Sequence, residues 1–446
     1  MSVLSKLADT TLGLKRVPYN CYETAHTWTP SCKVAAWDVG KAAAFFSLRV
    51  YTLLYTLSIA ARRPRKLRDV RWLRLLRDIL QSTLFLTTNA YLYIAVLCVL
   101  RRGVGFFVWP MAGGLNALVA CFTAILLERK ARRPALALYF ANLASEVAFR
   151  MGADFGVWPS LPKGQVLLFS AAMAGFSHLL EKEELDPEDA YLIRLGYGEE
   201  MGALSALGLA TCAPVLARFR SRLQSLGPRP HPTCTHQHSC LYQAAKLSGR
   251  NFLLGSGLSL ALSLLKALPW LLRRRLPPRP SGLLGIPTFL AGLAGLKSLA
   301  SCLLLHWLGR RARGRATIAG FLSGLSLLAY PNITIAMYAI WKLIEVLYFK
   351  GVREGRLPYW RHGDTALYTL ATSFVLFAAA LCPHNIRKGY WGFINGLTGG
   401  HFSEVNRRLF NDFGFDSDRL FRGQPLPAVD PAFTTAPPHL LGLRSL

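Results

Sequence analysis

Cysteine and histidine gather twice along the chain: Cys21, His26 and Cys32 near the start, then Cys234, His236, His238 and Cys240 beyond the middle. Thiolate sulfur and imidazole nitrogen are the ligands that zinc and other borderline cations take, which makes each group a candidate metal site. The second group could supply a full set of ligands, Cys234, His236, His238 and Cys240. Its C-x-H-x-H-x-C spacing matches no familiar zinc knuckle, in which the cysteines of a pair stand further apart. Unpaired or redox-active thiols at a membrane surface are the alternative chemistry. A third arrangement is one site shared by both groups, should the two parts of the chain pack symmetrically. The sequence calls for no cofactor.

The other chemistry-bearing residues are carboxylates placed inside apolar runs. Glu146 and Glu345 would be costly in a bilayer, and an intramembrane carboxylate is by default a candidate for a proton or cation relay. Each also has a cation at helical spacing: Arg150 lies four residues after Glu146, and Lys342 three before Glu345. Those spacings put both members on one helix face. Glu146, Arg150, Lys342 and Glu345 are therefore read as candidate intramembrane ion pairs. The chain has no Walker loop, no G-x-S-x-G, no H-E-x-x-H and no dinucleotide fingerprint, and no catalytic residue is expected.

What must position these residues follows from composition. Of 446 residues, 52% are hydrophobic and only 17% charged, and the apolar ones are clumped into long runs rather than spread periodically. That is the composition of a membrane protein, not of a large soluble enzyme. The formal charge of +28 sits between the apolar runs. Basic residues so placed flank membrane spans and suit anionic lipid headgroups, and no nucleic-acid partner is expected. The strongest spans are 79–100 and 104–127. Further candidates are 42–60, 134–149, 165–180, 251–272, 284–308, 316–331, 332–349 and 364–382, with a kink or tight turn at Pro331-Asn332. Cys98, Cys121, Cys302 and Cys382 fall inside apolar runs, where a thiol behaves as a small hydrophobe, and an odd total of nine cysteines does not suggest a disulfide framework.

An internal repeat organises the chain. Under a shift of 199 residues, Tyr139 meets Tyr338, Glu146 meets Glu345, Val147 meets Val346, Gly152 meets Gly351, Gly156 meets Gly355, Pro159 meets Pro358 and Gly164 meets Gly363. With gaps, Cys32 pairs with Cys240. The expected fold is an all-α polytopic membrane protein of two related halves with about five apolar helices each, some of them re-entrant candidates. Residues 1–180 form the first half, with its Cys/His lead, and 181–240 an acidic and then Pro/His/Cys-rich linker. Residues 241–402 form the second half and 403–446 a Pro-rich tail that does not continue as helix. Small residues at Ala291 and Gly295, and at Ala316, Gly320 and Gly324, mark faces where helix backbones approach closely. Duplicated membrane halves are also the plan of many transporters, with a site at the repeat interface.

Several strings are familiar in combination. NCYETAHTWTPSCKV, ILLERKARRPALALYFANLASEVAFRMG, IAGFLSGLSLL, KLIEVLYFKGVREGRLPYWRHGDTALY and DPAFTTAPP, in that order, resemble the transmembrane protein 135 family, also called peroxisomal membrane protein 52. The second half is also similar to the superfamily of mitochondrial inner-membrane translocase channel subunits. The resemblance implies a non-enzymatic, multi-pass protein of peroxisomal and mitochondrial membranes. It would influence mitochondrial fission with the dynamin-related fission GTPase as partner, and bear on peroxisome organisation and lipid homeostasis.

Overall fold

A computed structural model of the chain describes residues 15–61, 72–159, 162–200, 234, 236, 239–272, 282–309, 313–437 and 441. The architecture is helical. In chain order the main helices are α1 (Cys32–Ala61), α2 (Trp72–Val104), α3 (Leu115–Leu127), α4 (Arg133–Asp154), α5 (Gly164–Glu181) and α6 (Pro187–Gly196). They are followed by α7 (Cys240–Leu272), α8 (Gly285–Leu308), α9 (Arg315–Gly324), α10 (Ile333–Arg353), α11 (Gly363–Leu381) and α12 (Lys388–Leu397). Among the described residues the only sheet is a two-stranded ribbon, β1 (Arg16–Val17) against β2 (Phe107–Val108), with Arg16 opposite Val108.

Four helices, α1, α2, α8 and α11, are long and apolar enough to cross a membrane. Many of their large apolar side chains point outward: Trp37, Phe45, Leu53, Leu80, Leu84, Leu303 and Leu370 are all exposed. Apolar surface on this scale is what a bilayer covers. The protein is an all-α membrane protein.

The span expected over 104–127 is not one helix. α2 ends at Val104, Gly105 takes a φ of 87°, and β2 and a turn through Pro110 intervene before α3 begins at Leu115. Proline cannot donate the bond a helix needs, and the glycines at 113 and 114 weaken helix further. The 13 residues that remain rise about 20 Å, short of the ~30 Å hydrocarbon core. The joint at Pro331-Asn332 also separates two helices. A 3-10 stretch, Leu325–Ala329, follows α9, and the Asn332 side chain then accepts the N–H groups of Thr334 and Ile335 as the cap of α10.

The repeat has the same local form twice. Both α4 and α10 end in a glycine of positive φ, Gly156 at 72° and Gly355 at 70°. In each, the residue after that glycine donates its N–H back to the earlier repeat glycine, Val157 to Gly152 and Arg356 to Gly351. A Cβ on Gly152 would meet the Trp158 ring, and one on Gly351 would meet Leu357, the residue equivalent to Trp158. Val147 and Val346 are both buried, and Tyr139 and Tyr338 both exposed.

The compact units are not the sequence halves drawn at 1–180 and 241–402. One unit is Met1–Pro159 with Trp360–Leu446, and the other is Ser160–Tyr359. The reason is an exchange of the fifth helix of each repeat. α11 packs on α3 and α4 in the first unit, while α5 packs on α9 and α10 in the second. Within each unit the other pairings also correspond: α1 on α2 and α2 on α3, α7 on α8 and α8 on α9. α11 supplies Tyr368, Ala371, Val375 and Ala378 to the first core, and α5 supplies Phe169, Met173 and Phe176 to the second.

The run 181–199 is not a free linker. α6 forms within it, and its acids pair with one face of α10: Glu184 with Lys350 at 2.5 Å, Asp186 with Arg353 at 2.8 Å and Asp189 with Lys342 at 3.2 Å. The tail after α12 continues as short 3-10 turns, without α-helix among its described residues.

Candidate functional site

In the first unit a single helical turn, Cys21–Thr24, opens on a capping box. The Asn20 side chain accepts the Glu23 N–H at 2.9 Å, and the Glu23 carboxylate accepts the Asn20 N–H at 2.6 Å. That turn and the bend after it set Cys21 and His26. Cys32 begins α1. The fourth member comes from α2: the ligand atoms of Cys21, His26, Cys32 and Cys98 all lie within 4.8 Å of one another.

The second unit repeats the arrangement. Cys234, His236, Cys240 and Cys302 also have their ligand atoms within 4.8 Å of one another. Cys240 begins α7 as Cys32 begins α1, and Cys302 sits on α8 as Cys98 sits on α2. Each helix thiol stands six residues before the last residue of its helix, Val104 or Leu308. His236 Nε2 is 3.3 Å from Cys302 Sγ. Of the set expected from sequence, Cys234, His236 and Cys240 come together, whereas His238 lies outside the described residues. Each group closes within its own unit and draws its fourth residue from a helix far along the chain, so the shared-site arrangement is not formed.

The thiols of the first group are unequal: burial and the neighbouring Cys21 push Cys32 up, whereas Cys21 is held down. A hydrogen bond from the Cys98 thiol, with His26 and Arg101 adding to it and burial opposing, pulls the Cys21 thiol down to about 5. Arg101 itself is anchored, donating to the Pro18 and Tyr19 carbonyls at 2.6 and 3.0 Å. His26 is fully buried, and its Nδ1 lies 2.8 Å from the Thr29 carbonyl oxygen. Its Nε2 has no hydrogen-bond partner. In the second unit Lys297 and Arg315 line the same pocket as Cys234, His236 and Cys302.

The repeat-related carboxylates are placed unequally. Glu146 is buried between two arginines, Arg150 at 2.5 Å and Arg387, which also forms an ion pair with it. Glu345 is one-quarter exposed at its side chain and meets Lys342 at 2.8 Å, and that lysine is shared with Asp189. The small-residue positions lie at close approaches. A Cβ on Gly320 would meet Ser177 and the Met173 carbonyl, and one on Gly324 would meet the Ser170 backbone, so α9 rides directly on α5. Gly295 faces Ser248 of α7 in the same way, with Ala291 half-buried one turn earlier and Ala316 half-buried at the start of α9.

Sequence reasoning passed over Cys98 and Cys302, reading them as small hydrophobes. Their matching distance from the ends of α2 and α8 was the available signal. It also passed over Lys297, a cation inside a candidate span, which donates to Ser177 and to the Ala316 carbonyl at 3.0 and 3.1 Å. The Lys297 ammonium lies 4.9 Å from the Tyr197 ring centroid. Glu23 and Arg407 are two further buried charges. Arg407 is caged by Trp391, Phe402 and Phe421 at 4.9 to 5.2 Å, and burial pulls it down to about 9. It lines an apolar cavity of about 70 Å³ that also touches Tyr93, Phe140, Tyr368 and Tyr390. Small-molecule pockets start at roughly 300 Å³, so this cavity is too small for a lipid.

No solved structure matches the chain. Residues 18–153 match the family model for the N-terminal cysteine-rich region of Transmembrane protein 135. The matched stretch contains all four residues of the first Cys/His group and ends inside α4, and it does not show the expected likeness of the second half to translocase channel subunits. The cysteines of that region converge on one point at the head of a membrane bundle, and over residues 18–153 the chain is similar to the N-terminal cysteine-rich region of Transmembrane protein 135.

Proposed function

We propose that this is a non-enzymatic, multi-pass protein of peroxisomal and mitochondrial membranes that regulates the balance of mitochondrial fission and fusion, peroxisome organisation and lipid homeostasis. The observation that carries the reading is the family match over residues 18–153. The outward apolar faces of α1, α2, α8 and α11 support residence in a bilayer. The basic stretches between helices suit anionic headgroups, and the dynamin-related fission GTPase is the proposed partner. The tail from 403 is where such a partner would be sought first, since the acids of 184–189 are already engaged by α10. The test is to supply the full chain to cells lacking it and measure mitochondrial length and GTPase recruitment to the organelle. Restored fission supports the reading. Correctly inserted protein that changes neither quantity overturns it.

A second reading, a transporter or channel for a lipid or small metabolite, is favoured by one observation: the repeat whose fifth helices are exchanged. Sealed vesicles holding the purified protein test it. Flux abolished by Glu146→Gln with Glu345→Gln, or by Lys297→Met, would make the protein a carrier, and its effect on organelle shape would follow from transport.

A further inference from the structure

Two groups with different spacing in the chain, C-x4-H-x5-C and C-x-H-x3-C, converge on the same set of three thiols and one imidazole. In both, one thiol opens the first helix of a repeat and another comes from near the end of the second helix. Packing alone gives no reason for this. Buried thiols pack as small hydrophobes, but a fully buried imidazole nitrogen without a hydrogen-bond partner, as at His26 Nε2, is costly. None of the cysteines concerned is in a disulfide.

We propose that each group binds one zinc ion, through Cys21, His26, Cys32 and Cys98 in the first unit and Cys234, His236, Cys240 and Cys302 in the second. The size of each group decides between one metal ion and a larger cluster. A tetrahedral ion with metal–ligand bonds of about 2.0 to 2.3 Å sets its ligand atoms roughly 3.4 to 3.8 Å apart. The observed limit of 4.8 Å in both groups needs only sub-ångström closure onto one ion. An iron–sulfur cluster interposes two or more iron atoms and would hold its outer ligands further apart.

His26 carries independent support. Its Nδ1 hydrogen bond to the Thr29 carbonyl requires the proton on Nδ1, because a carbonyl oxygen only accepts. In the neutral imidazole, the form that ligates a metal, the lone pair is then on Nε2, a buried atom with no hydrogen-bond partner of its own. A backbone carbonyl fixing the tautomer of a ligating histidine is the usual outer-shell arrangement at zinc. Three thiolates and one zinc ion carry a net charge of −1; Arg101 beside the first group is placed to offset it, and beside the second Lys297 and Arg315 share the pocket with Glu199, one net positive charge. With all four positions taken by protein, the ion is structural: it staples the Cys/His lead of each repeat to its first and second helices.

The full chain, purified in detergent without chelator, should contain two zinc ions by elemental analysis. Cys21→Ser with Cys98→Ser should leave one, as should Cys240→Ser with Cys302→Ser. Should those variants fail to fold, His26→Cys and His236→Cys provide the second measurement. Four thiolates also hold zinc, so these variants should keep the wild-type metal content, and cobalt exchanged into either site should show the absorption of a tetrahedral thiolate complex. Folded, helical wild type with no zinc, or with iron and sulfide instead, overturns the proposal. So does oxidation of Cys21 and Cys98, or of Cys240 and Cys302, to a disulfide in the purified chain. One zinc ion lost with only one of the two pairs overturns the site whose pair has no effect.

Discussion

Glu23 accepts the backbone N–H of Ala436, a residue 413 positions further along the chain. The same carboxylate takes the Thr435 N–H and, at 3.0 Å, the Thr435 hydroxyl, while the Asn20 side chain donates to the Phe433 carbonyl at 2.9 Å. Two strings that look unrelated in the sequence, NCYET and DPAFTTAPP, are thus the two sides of one clasp. The Pro-rich tail needs no helix to be ordered, because its N–H groups are satisfied by a buried carboxylate.

Glu23→Ala should release the tail. Removing the carboxylate leaves the Thr435 and Ala436 donors without a partner, and a hydrogen bond to a charged group contributes about 1.5 to 3 kcal/mol. Limited proteolysis of the full chain should show cleavage within 424–437 accelerated by at least about tenfold. Unchanged cleavage would mean that the apolar contacts of Tyr22, Leu409 and Val429 hold the tail without the clasp.

The repeat makes Glu146 and Glu345 equivalent, and their surroundings make them unequal. Glu146→Gln leaves Arg150 and Arg387, 41% and 21% exposed at their side chains, facing a neutral group, so the loss should fall below the ~3 to 5 kcal/mol of a fully buried pair but above that of Glu345→Gln. Glu345→Gln leaves Lys342 with Asp189 and should cost about 1 kcal/mol or less. Thermal melting in one detergent compares them directly. Adding Arg387→Met to Glu146→Gln should recover part of the loss, and equal melting of the two single variants would refute the distinction.

Much of this was legible in the sequence, and what was not has identifiable causes. The 199-residue shift located α4 and α5 against α10 and α11, helped by Gly152 and Gly156, which hold positions that only glycine occupies cheaply. Hydropathy could not see that α5 and α11 trade units, since an apolar helix carries no mark of which neighbour it packs on. Hydropathy also joined β2 and the turn after it to α3 in one span, because Phe106, Phe107, Val108 and Trp109 are as apolar in a strand and turn as in a helix. Of the metal-type ligands, those in the leads stand out by proximity in sequence. Cys98 and Cys302 are hidden inside apolar runs and become visible only when α2 and α8 are laid side by side.

The close approach of α9 to α5 predicts where a methyl group cannot be added. Gly324→Ala places a Cβ about 2.4 Å from the Ser170 backbone, which cannot rotate away, so the helices must separate. Overpacking of this kind costs about 1 to 3 kcal/mol. Gly249→Ala on α7, where a Cβ meets nothing within 4 Å, is the control and should be neutral or stabilising by about 0.5 to 1 kcal/mol. Melting temperatures that move equally for both would show that the glycine face of α9 is not a packing surface.

Asp154, at the end of α4, gathers three partners from the C-terminal part of the chain. His384 lies at 2.7 Å, Arg419 at 2.6 Å and the Asn385 amide at 3.4 Å. Burial alone would raise its carboxyl, but the hydrogen bonds from His384 and Arg419 outweigh it and hold the group below the ordinary carboxylate range. A carboxyl lowered on folding contributes stability that is present above its unfolded value of about 3.9 and lost as pH falls through the lower folded value. Protease resistance of 414–424, measured in detergent from about pH 5 downward, should fall in wild type. In Asp154→Asn it should start lower and stay flat across the same range. A wild-type profile as flat as that of the variant would show that the contacts of Asp154 do not hold this segment, and Trp391 against Phe421 would be left as its anchor.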